Sequence, residues 1–235
     1  MQQENKSFKI KSFESGPMEN LIYLIWDKKT KDAAIIDPAW DLSEIEIFIK
    51  NNQLKLKKIL LTHSHHDHIN AIDKILKLYD IPIYLNKKEM LFWGKSYDNF
   101  QINYPDDIIK LGETEIKSMH TPGHTPGSVC YLIKDTLIAG DTLFVFGCGR
   151  CDLDGGNPEE MFNTINTMQS MLALKTKILP GHNYSTKKIS TLEEQIEGNP
   201  FFHFNDLNKF VEYRMKIHDK IRNTPYSHQT KTNSH

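Results

Sequence analysis

Residues 62–68, Thr-His-Ser-His-His-Asp-His, concentrate side chains that bind metals. Imidazole nitrogens and carboxylate oxygens are the usual protein ligands of zinc and other first-row metals. A short apolar run precedes the segment and predicts a buried strand, from whose end His63 and His65 point in one direction because alternate residues share a face. A turn into a following helix would present Asp67 and His68 to a neighbouring point. One segment can therefore supply parts of two metal sites.

Three further candidate ligands follow predicted strands elsewhere in the chain. They are His124 in Thr-Pro-Gly-His-Thr-Pro-Gly, Asp141 in Ala-Gly-Asp-Thr and His182 in Pro-Gly-His. Loops at strand ends are where rigid scaffolds place functional residues, and glycine and proline let the backbone turn sharply there. Residues 65–68 alone would also fit an adventitious metal-binding loop. The three additional candidates favour a built site with seven ligands.

Apolar periodicity predicts a mixed α/β protein with helices interspersed among strands. The predicted strands are 8–13, 20–26, 33–37, 59–61, 83–85, 108–111, 115–119, 128–133, 136–139 and 177–179, and the predicted helices are 42–50, 69–79, 87–92, 158–172, 190–197 and 206–222. A glycine-rich loop is expected over 140–156. Residues 223–235 carry few apolar side chains and are predicted to form a disordered tail.

Composition excludes several classes of function. Lys plus Arg is 29 and Asp plus Glu is 30 among 235 residues, so no overall field recruits nucleic acid or an anionic membrane. No apolar run approaches the roughly 20 residues that a membrane helix needs, and the N-terminus lacks the order of a secretory signal. Three cysteines argue against a disulfide framework and for a reducing compartment. We expect a cytoplasmic protein, and the sequence does not predict its oligomeric state.

The ordered motifs resemble those of the metallo-β-lactamase superfamily across about residues 20 to 184. The resemblance implies a four-layer αββα sandwich with two metal ions at one edge between the sheets, formed by residues 1–185 and followed by a helical extension over 186–222. It also implies how the ligands divide. The implied sets are His63, His65 and His124 for the first metal and Asp67, His68 and His182 for the second, with Asp141 bridging.

Within the superfamily, the loop from Gly140 to Arg150 is similar to that of hydroxyacylglutathione hydrolases (glyoxalase II). The resemblance implies that Arg150 and Tyr184 contact a glutathione moiety, and it places Cys148 and Gly149 in the same substrate loop. The chain departs from that branch in two ways. The loop continues as Cys-Asp-Leu rather than with an aromatic residue, and the extension after Tyr184 is too short for the larger helical domain.

A metal pair about 3.5–4 Å apart lowers the pKa of a bridging water and polarises a carbonyl. A thioester suits such a site, because its thiolate leaving group has a pKa near 8.5 and needs little help from a general acid. Asp67 could also assist proton movement. The sequence therefore predicts hydrolysis of an acylated small thiol such as S-lactoylglutathione. Zinc is the expected metal, although the hard carboxylate of Asp141 would also suit iron or manganese.

Other functions stay open. The wider branch includes persulfide dioxygenases with a single iron, for which His63 or His65, His124 and Asp141 would be the candidate ligands. A metal-stabilised binding module is a further alternative, but structural metal sites are normally closed, and these ligands should leave positions for water. Cys148 and Cys151 form a C-x-x-C that could be a redox pair or half a zinc site, and Lys209 and Arg214 are expected on a solvated helix face.

Overall fold

The strand over Asn20–Asp27 explains the layered architecture, because it is buried along its whole length. Successive side chains of a strand point to opposite faces. Leu21 and Ile25 belong to one apolar cluster, whereas Ile22 and Leu24 belong to another. A strand that is apolar on both faces needs a packed layer on each side.

In the computed structural model, which describes residues 7–230, this strand belongs to a six-stranded sheet. The strands lie in chain order: β1 (Phe8–Ser15), β2 (Asn20–Asp27), β3 (Asp32–Ile36), β4 (Lys55–Leu60), β5 (Ile83–Asn86) and β6 (Phe100–Asn103). Pairing is antiparallel from β1 to β3 and parallel from β3 to β6. The helices of this half are α1 (Ser43–Asn51), α2 (His66–Ile69), α3 (Ile72–Leu76) and α4 (Lys87–Trp93).

The second sheet is formed by the later half of the chain. Its strands are β7 (Ile108–Leu111), β8 (Thr114–His120), β9 (Val129–Ile133), β10 (Thr136–Gly140), β13 (Lys177–Pro180) and β14 (Ser190–Thr191), in the order β14-β13-β10-β9-β8-β7. A small hairpin of β11 (Leu143–Phe144) and β12 (Gly147–Cys148) lies in the glycine-rich loop. The helices are α5 (Pro158–Met171), α6 (Leu192–Gly198), a 3₁₀ turn (Pro200–Phe202), α7 (Leu207–Glu212), a π turn (Tyr213–Ile217) and α8 (His218–Ile221).

Three apolar clusters separate the layers. One lies between the sheets and includes Tyr23, Ile116 and Tyr131. A second combines residues of the first sheet with those of α1 and α3, and a third combines residues of the second sheet with those of α5 and α7. Helix, sheet, sheet and helix therefore form the predicted αββα sandwich.

Two predicted helices are interrupted. The helix expected over 69–79 breaks between α2 and α3, because Asn70 Oδ1 accepts the Trp40 N–H (2.6 Å) and Ala71 N–H donates to the carbonyl of Pro38 (3.2 Å). These bonds attach the break to the loop after β3 and orient α2, which carries Asp67 and His68. The helix expected over 206–222 likewise changes to a π turn between α7 and α8.

The C-terminal segment differs from its prediction. Residues 223–230, expected to be disordered, pack along the edge of the sandwich, whereas 231–235 lie outside the described residues. Tyr226 is buried; its N–H donates to the Tyr184 carbonyl (2.7 Å), and its own carbonyl accepts the Thr186 N–H (3.1 Å). The segment is ordered because of these hydrogen bonds, although its polar composition predicts disorder. None of the helices between residues 7 and 230 is long and apolar enough to span a membrane.

Candidate metal centre and cleft

All seven predicted ligands come together at one edge of the sandwich, although they are far apart in the sequence. Four loops carry them, each following a strand: β4, β8, β10 and β13. Ligand atoms of His63, His65 and His124 lie within 4.8 Å of one another. Those of Asp67, His68 and His182 form a second group by the same measure. These two groups, called the first and second triads below, have the members that the resemblance implies. A third group by the same measure, Asp37 with His63 and His68, overlaps both.

Asp141 lies between the triads. Its Oδ2 is 3.6 Å from His124 Nε2 of the first triad and 3.2 Å from His182 Nε2 of the second. Its Oδ1 is 3.3 Å from His68 Nε2. One carboxylate thus reaches both groups, which is the arrangement that a bridging ligand requires.

The outer ring nitrogens of the histidines are fixed by other groups. His124 Nδ1 donates to the carbonyl of Arg150 and His182 Nδ1 to that of Met18, each at 2.7 Å. Donation from Nδ1 leaves the Nε2 lone pair of a neutral imidazole directed inward, as a metal ligand needs.

Several inward atoms have no protein group in hydrogen-bonding geometry, although Asp141 Oδ1 lies 3.3 Å from His68 Nε2. His63 Nε2, His124 Nε2 and Asp141 Oδ1 are buried without a hydrogen bond from any residue that the structure describes. Buried polar atoms are nearly always satisfied, and divalent cations would satisfy this set of nitrogens and oxygens. The residues therefore fit the metal ions that the sequence predicts.

The candidate histidine ligands differ in the direction of their pKa shifts. Burial lowers the pKa of His63 well below its usual value, with His68 adding to the effect, and it lowers the pKa of His124 to about 4. Burial also opposes protonation of His68, but Asp141 and Asp37 outweigh it and hold the pKa of His68 well above its usual value. The raised pKa of His68 means that a metal ion has to compete with a proton for this ring.

A cleft of about 950 Å³ opens over the triads. His65, Asp67 and Asp141 lie at the metal end, and Phe144, Leu153 and Tyr226 add apolar surface. Arg150 and Arg222 are cationic residues of the lining. The volume is in the range of sites for small molecules.

The predicted substrate loop lies along this cleft, and its side chains contact other groups of the protein. The Arg150 guanidinium, expected to bind a substrate carboxylate, makes a two-point ion pair with Asp152 (3.0 and 2.6 Å). Cys148 lines the cleft but is 1% exposed. Gly149 is packed against the metal ligands, because a Cβ there would lie 2.0 Å from the Asp141 carbonyl oxygen. The structure therefore gives Gly149 a packing role beside the ligands.

Tyr184 lies beside the second triad. Its ring stacks on His182 with centroids 4.6 Å apart, and Phe144 contacts its edge at 5.4 Å. Burial, followed by Asp141, raises the pKa of Tyr184, so the phenol keeps its proton at neutral pH.

The expectation of a solvated face at Arg214 is wrong, whereas Lys209 is exposed as expected. Arg214 is 2% exposed and bonds to Asp219 (2.6 Å) and His218 Nδ1 (3.0 Å). The π turn directs it inward, toward the free and buried Cys148 and Cys151.

The chain was compared with known proteins. Residues 15–182 match the family model described as metallo-beta-lactamase superfamily. The chain belongs to this superfamily.

Its relatives in the superfamily carry several names. The chain is 32% identical over 201 residues to the probable polyketide biosynthesis zinc-dependent hydrolase PksB of Bacillus subtilis (strain 168), covering 86% of this chain and 89% of that protein. It is 33% identical over 203 residues to a hydroxyacylglutathione hydrolase of Dictyostelium discoideum, covering 80% and 72%. The crystal structure of ETHE1 from Myxococcus xanthus has a TM-score of 0.80 at 25% identity, covering 89% and 91%.

Asp37 and Asn20 were not predicted from the sequence as part of this metallo-β-lactamase site. Asp37, at the end of β3, accepts bonds from the Thr62 N–H (2.7 Å), Thr62 Oγ1 (2.5 Å) and His68 Nδ1 (3.2 Å). Thr62 Oγ1 in turn lies 3.0 Å from His63 Nδ1 and, since it donates to Asp37, can accept from that ring. Asn20 Nδ2 donates to Asp67 Oδ2 (2.8 Å). The available signal for Asp37 was a lone aspartate that ends a buried strand.

Proposed function

We propose that this chain is a metal-dependent hydrolase of thioesters between an acyl group and a small thiol, glutathione being the leading candidate. The observation that carries the proposal is the pair of triads joined by Asp141 at the metal end of a cleft. Similarity to a zinc-dependent hydrolase and to hydroxyacylglutathione hydrolases supports it.

Two divalent ions, zinc in this proposal, would be held by the two triads and by Asp141. When bound, they would supply a water of lowered pKa and a polarised thioester carbonyl. The protein orients the ligand nitrogens through the Arg150 and Met18 carbonyls.

The residues of the cleft have separate proposed roles. Asp67 is the residue to which we assign proton movement, since its Oδ2 lies 3.4 Å from both His68 Nε2 and His182 Nε2 and is held by Asn20. The phenolic O–H of Tyr184 would donate a hydrogen bond to the thiol carrier. Arg150 would bind a substrate anion only by leaving Asp152. The leaving thiolate needs no dedicated acid.

The test is thiol release from a panel of thioesters by the purified, metal-loaded protein. The panel contains acyl-glutathiones of different acyl size and the matching coenzyme A thioesters, so that it separates the carrier from the acyl group. We expect catalytic release from at least one glutathione thioester and its loss in Asp141→Asn. A protein that holds two ions and releases no thiol from the panel would contradict the proposal.

A second candidate is a persulfide dioxygenase. His124 and Asp141, in contact at 3.6 Å, together with either His63 or His65 offer two imidazoles and a carboxylate for one iron. This candidate requires one iron per chain and oxygen uptake with glutathione persulfide, which an oxygen electrode measures on the same preparation.

A further inference from the structure

Glu89, in the first turn of α4, is a fully buried carboxylate that the proposed reaction does not use. It accepts four hydrogen bonds. Its Oε1 accepts from Ser64 N (2.8 Å) and Ser64 Oγ (2.6 Å). Its Oε2 accepts from Thr125 Oγ1 (2.7 Å) and Gly127 N (3.0 Å). All four donors belong to the two loops that carry the first triad.

These donors adjoin the ligands themselves. Ser64 lies between His63 and His65, and Thr125 follows His124 directly. The two oxygens of one carboxylate therefore fix the two loops relative to each other. The second triad is oriented by other groups: Asn20 for Asp67, Asp37 for His68 and the Met18 carbonyl for His182.

The helix and the 121–127 loop are also in direct contact. A Cβ on Gly127 would lie 2.1 Å from the backbone nitrogen of Glu89 and 2.5 Å from its Cβ. The cap of α4 is supplied separately by Asn86, whose side chain accepts the Lys88 N–H (2.9 Å). Glu89 is therefore not needed to start its own helix, and its bonds go to the ligand loops.

We infer that Glu89 is a positioning residue for the first triad: its carboxylate sets the placement of His63 and His65 relative to His124. The inference rests on the proposed function to the extent that the triad binds a metal ion. The four hydrogen bonds of Glu89 go to two backbone N–H groups and two hydroxyls of the ligand loops, so it acts on the ligands through these loops. Groups that orient metal ligands typically change metal affinity by 10–100-fold when they are replaced.

Glu89→Gln tests this with little change in shape. One acceptor oxygen becomes an NH₂ group, which must then face either Ser64 N or Gly127 N, and a backbone N–H cannot reorient to accept. Asn86→Ala is the matched control, because it weakens the same helix without touching either loop. Zinc affinity is measured by competition with a chelator, alongside thermal unfolding.

We expect two zinc-binding steps in the wild type. In Glu89→Gln one step weakens by roughly 10–100-fold and the other changes by less than about threefold, whereas Asn86→Ala retains both. His124→Ala should abolish the affected step, and the double variant should bind zinc as His124→Ala does. If Glu89→Gln does not fold, Ser64→Ala with Thr125→Val, which removes one bond from each oxygen, should weaken the same step.

The inference is overturned if both steps keep wild-type affinity, or if both weaken equally and Asn86→Ala does the same. A wild type that binds a single ion contradicts the two-metal hydrolase but still tests Glu89, since that one step should weaken in Glu89→Gln. A wild type that binds no ion overturns both.

Discussion

The candidate metal ligands are held at their outer atoms by hydrogen bonds to other groups of the protein. Asp37 is the most connected of these groups, because it accepts from Thr62 and His68 and reaches His63 through the Thr62 hydroxyl. The inward nitrogens are then free to bind cations. The geometry at this scale depends on these outer contacts as much as on the ligands.

Asp37→Asn should weaken zinc binding by roughly 10–100-fold. The amide can no longer accept from both Thr62 and His68, so the His63 and His68 rings lose their fixed orientation. Chelator competition measures the affinity.

Asp27→Asn provides the control. Asp27 is equally buried and accepts Lys29 N, Thr30 N and Thr114 Oγ1, but it lies outside the metal centre. The Asp27→Asn substitution should lower the free energy of unfolding and leave the zinc affinity unchanged. Equal zinc affinity in Asp37→Asn and the wild type would refute the role of Asp37.

Site residues could be predicted from the sequence where the chemistry of the side chain is specific. Histidine clusters at strand ends identified the candidate ligands, because few other roles require them. The role of Asp37 could not be predicted, because its partners are 25 and 31 residues away. The burial of Arg214 could not be predicted either, because it depends on a π turn. The ion pair between Arg150 and Asp152 was likewise not predicted from the spacing of the two residues.

At the scale of elements, most strands and helices followed from apolar periodicity, whereas β6 and the two-residue strands β11, β12 and β14 were not predicted. A further exception is a segment ordered by distant partners. The segment 223–230 has too few apolar residues to predict order, yet its backbone bonds to residues about 41 positions earlier. Its residues Thr224, Pro225 and Tyr226 form one wall of the cleft.

Tyr226→Ala should destabilise the fold by about 3 kcal/mol, because it empties a buried aromatic position beside Phe144 and Tyr184. Because the residue lines the cleft without contacting either triad, KM for the thioester should rise more than kcat falls. Urea unfolding and steady-state kinetics measure the two effects.

Tyr104→Ala, at a position 53% exposed, is the control and should change stability by less than about 0.5 kcal/mol. Tyr226→Ala with wild-type stability and KM would show that the segment is not a wall of the working site.

Among residues 7–230, buried histidines lie in two places, the candidate metal centre and the C-terminal helices. His218 is fully buried, and its titratable or charged neighbours include Arg214, Asp219, Arg222, Tyr213 and Tyr226. Arg214 can only donate, so its 3.0 Å contact makes His218 Nδ1 an acceptor, and the longer 3.2 Å contact of that nitrogen with Asp219 Oδ1 is not a hydrogen bond in this state. The ring is then neutral in the folded protein. The C-terminal helices therefore make the stability of the whole chain sensitive to acid.

Burial, and next the charge of Arg214, lower the pKa of His218 from 6.5 to about 4. The unfolded chain then binds more protons than the folded one in this range, so stability is full above pH 6.5 and falls toward pH 4. We expect His218→Gln to show a shallower loss of unfolding free energy between pH 6.5 and 4 than the wild type. Parallel curves would refute a neutral, buried His218.

The central claim is that the two triads, joined by Asp141, hold two metal ions that serve thioester hydrolysis. The most direct measurement is elemental analysis of metal per chain in the wild type and Asp141→Ala, with thiol release from acyl-glutathione assayed on the same samples. We predict two ions and catalytic release in the wild type, and in Asp141→Ala fewer than two ions with release lower by roughly 100-fold or more. An Asp141→Ala protein that keeps both ions and full turnover would contradict the account.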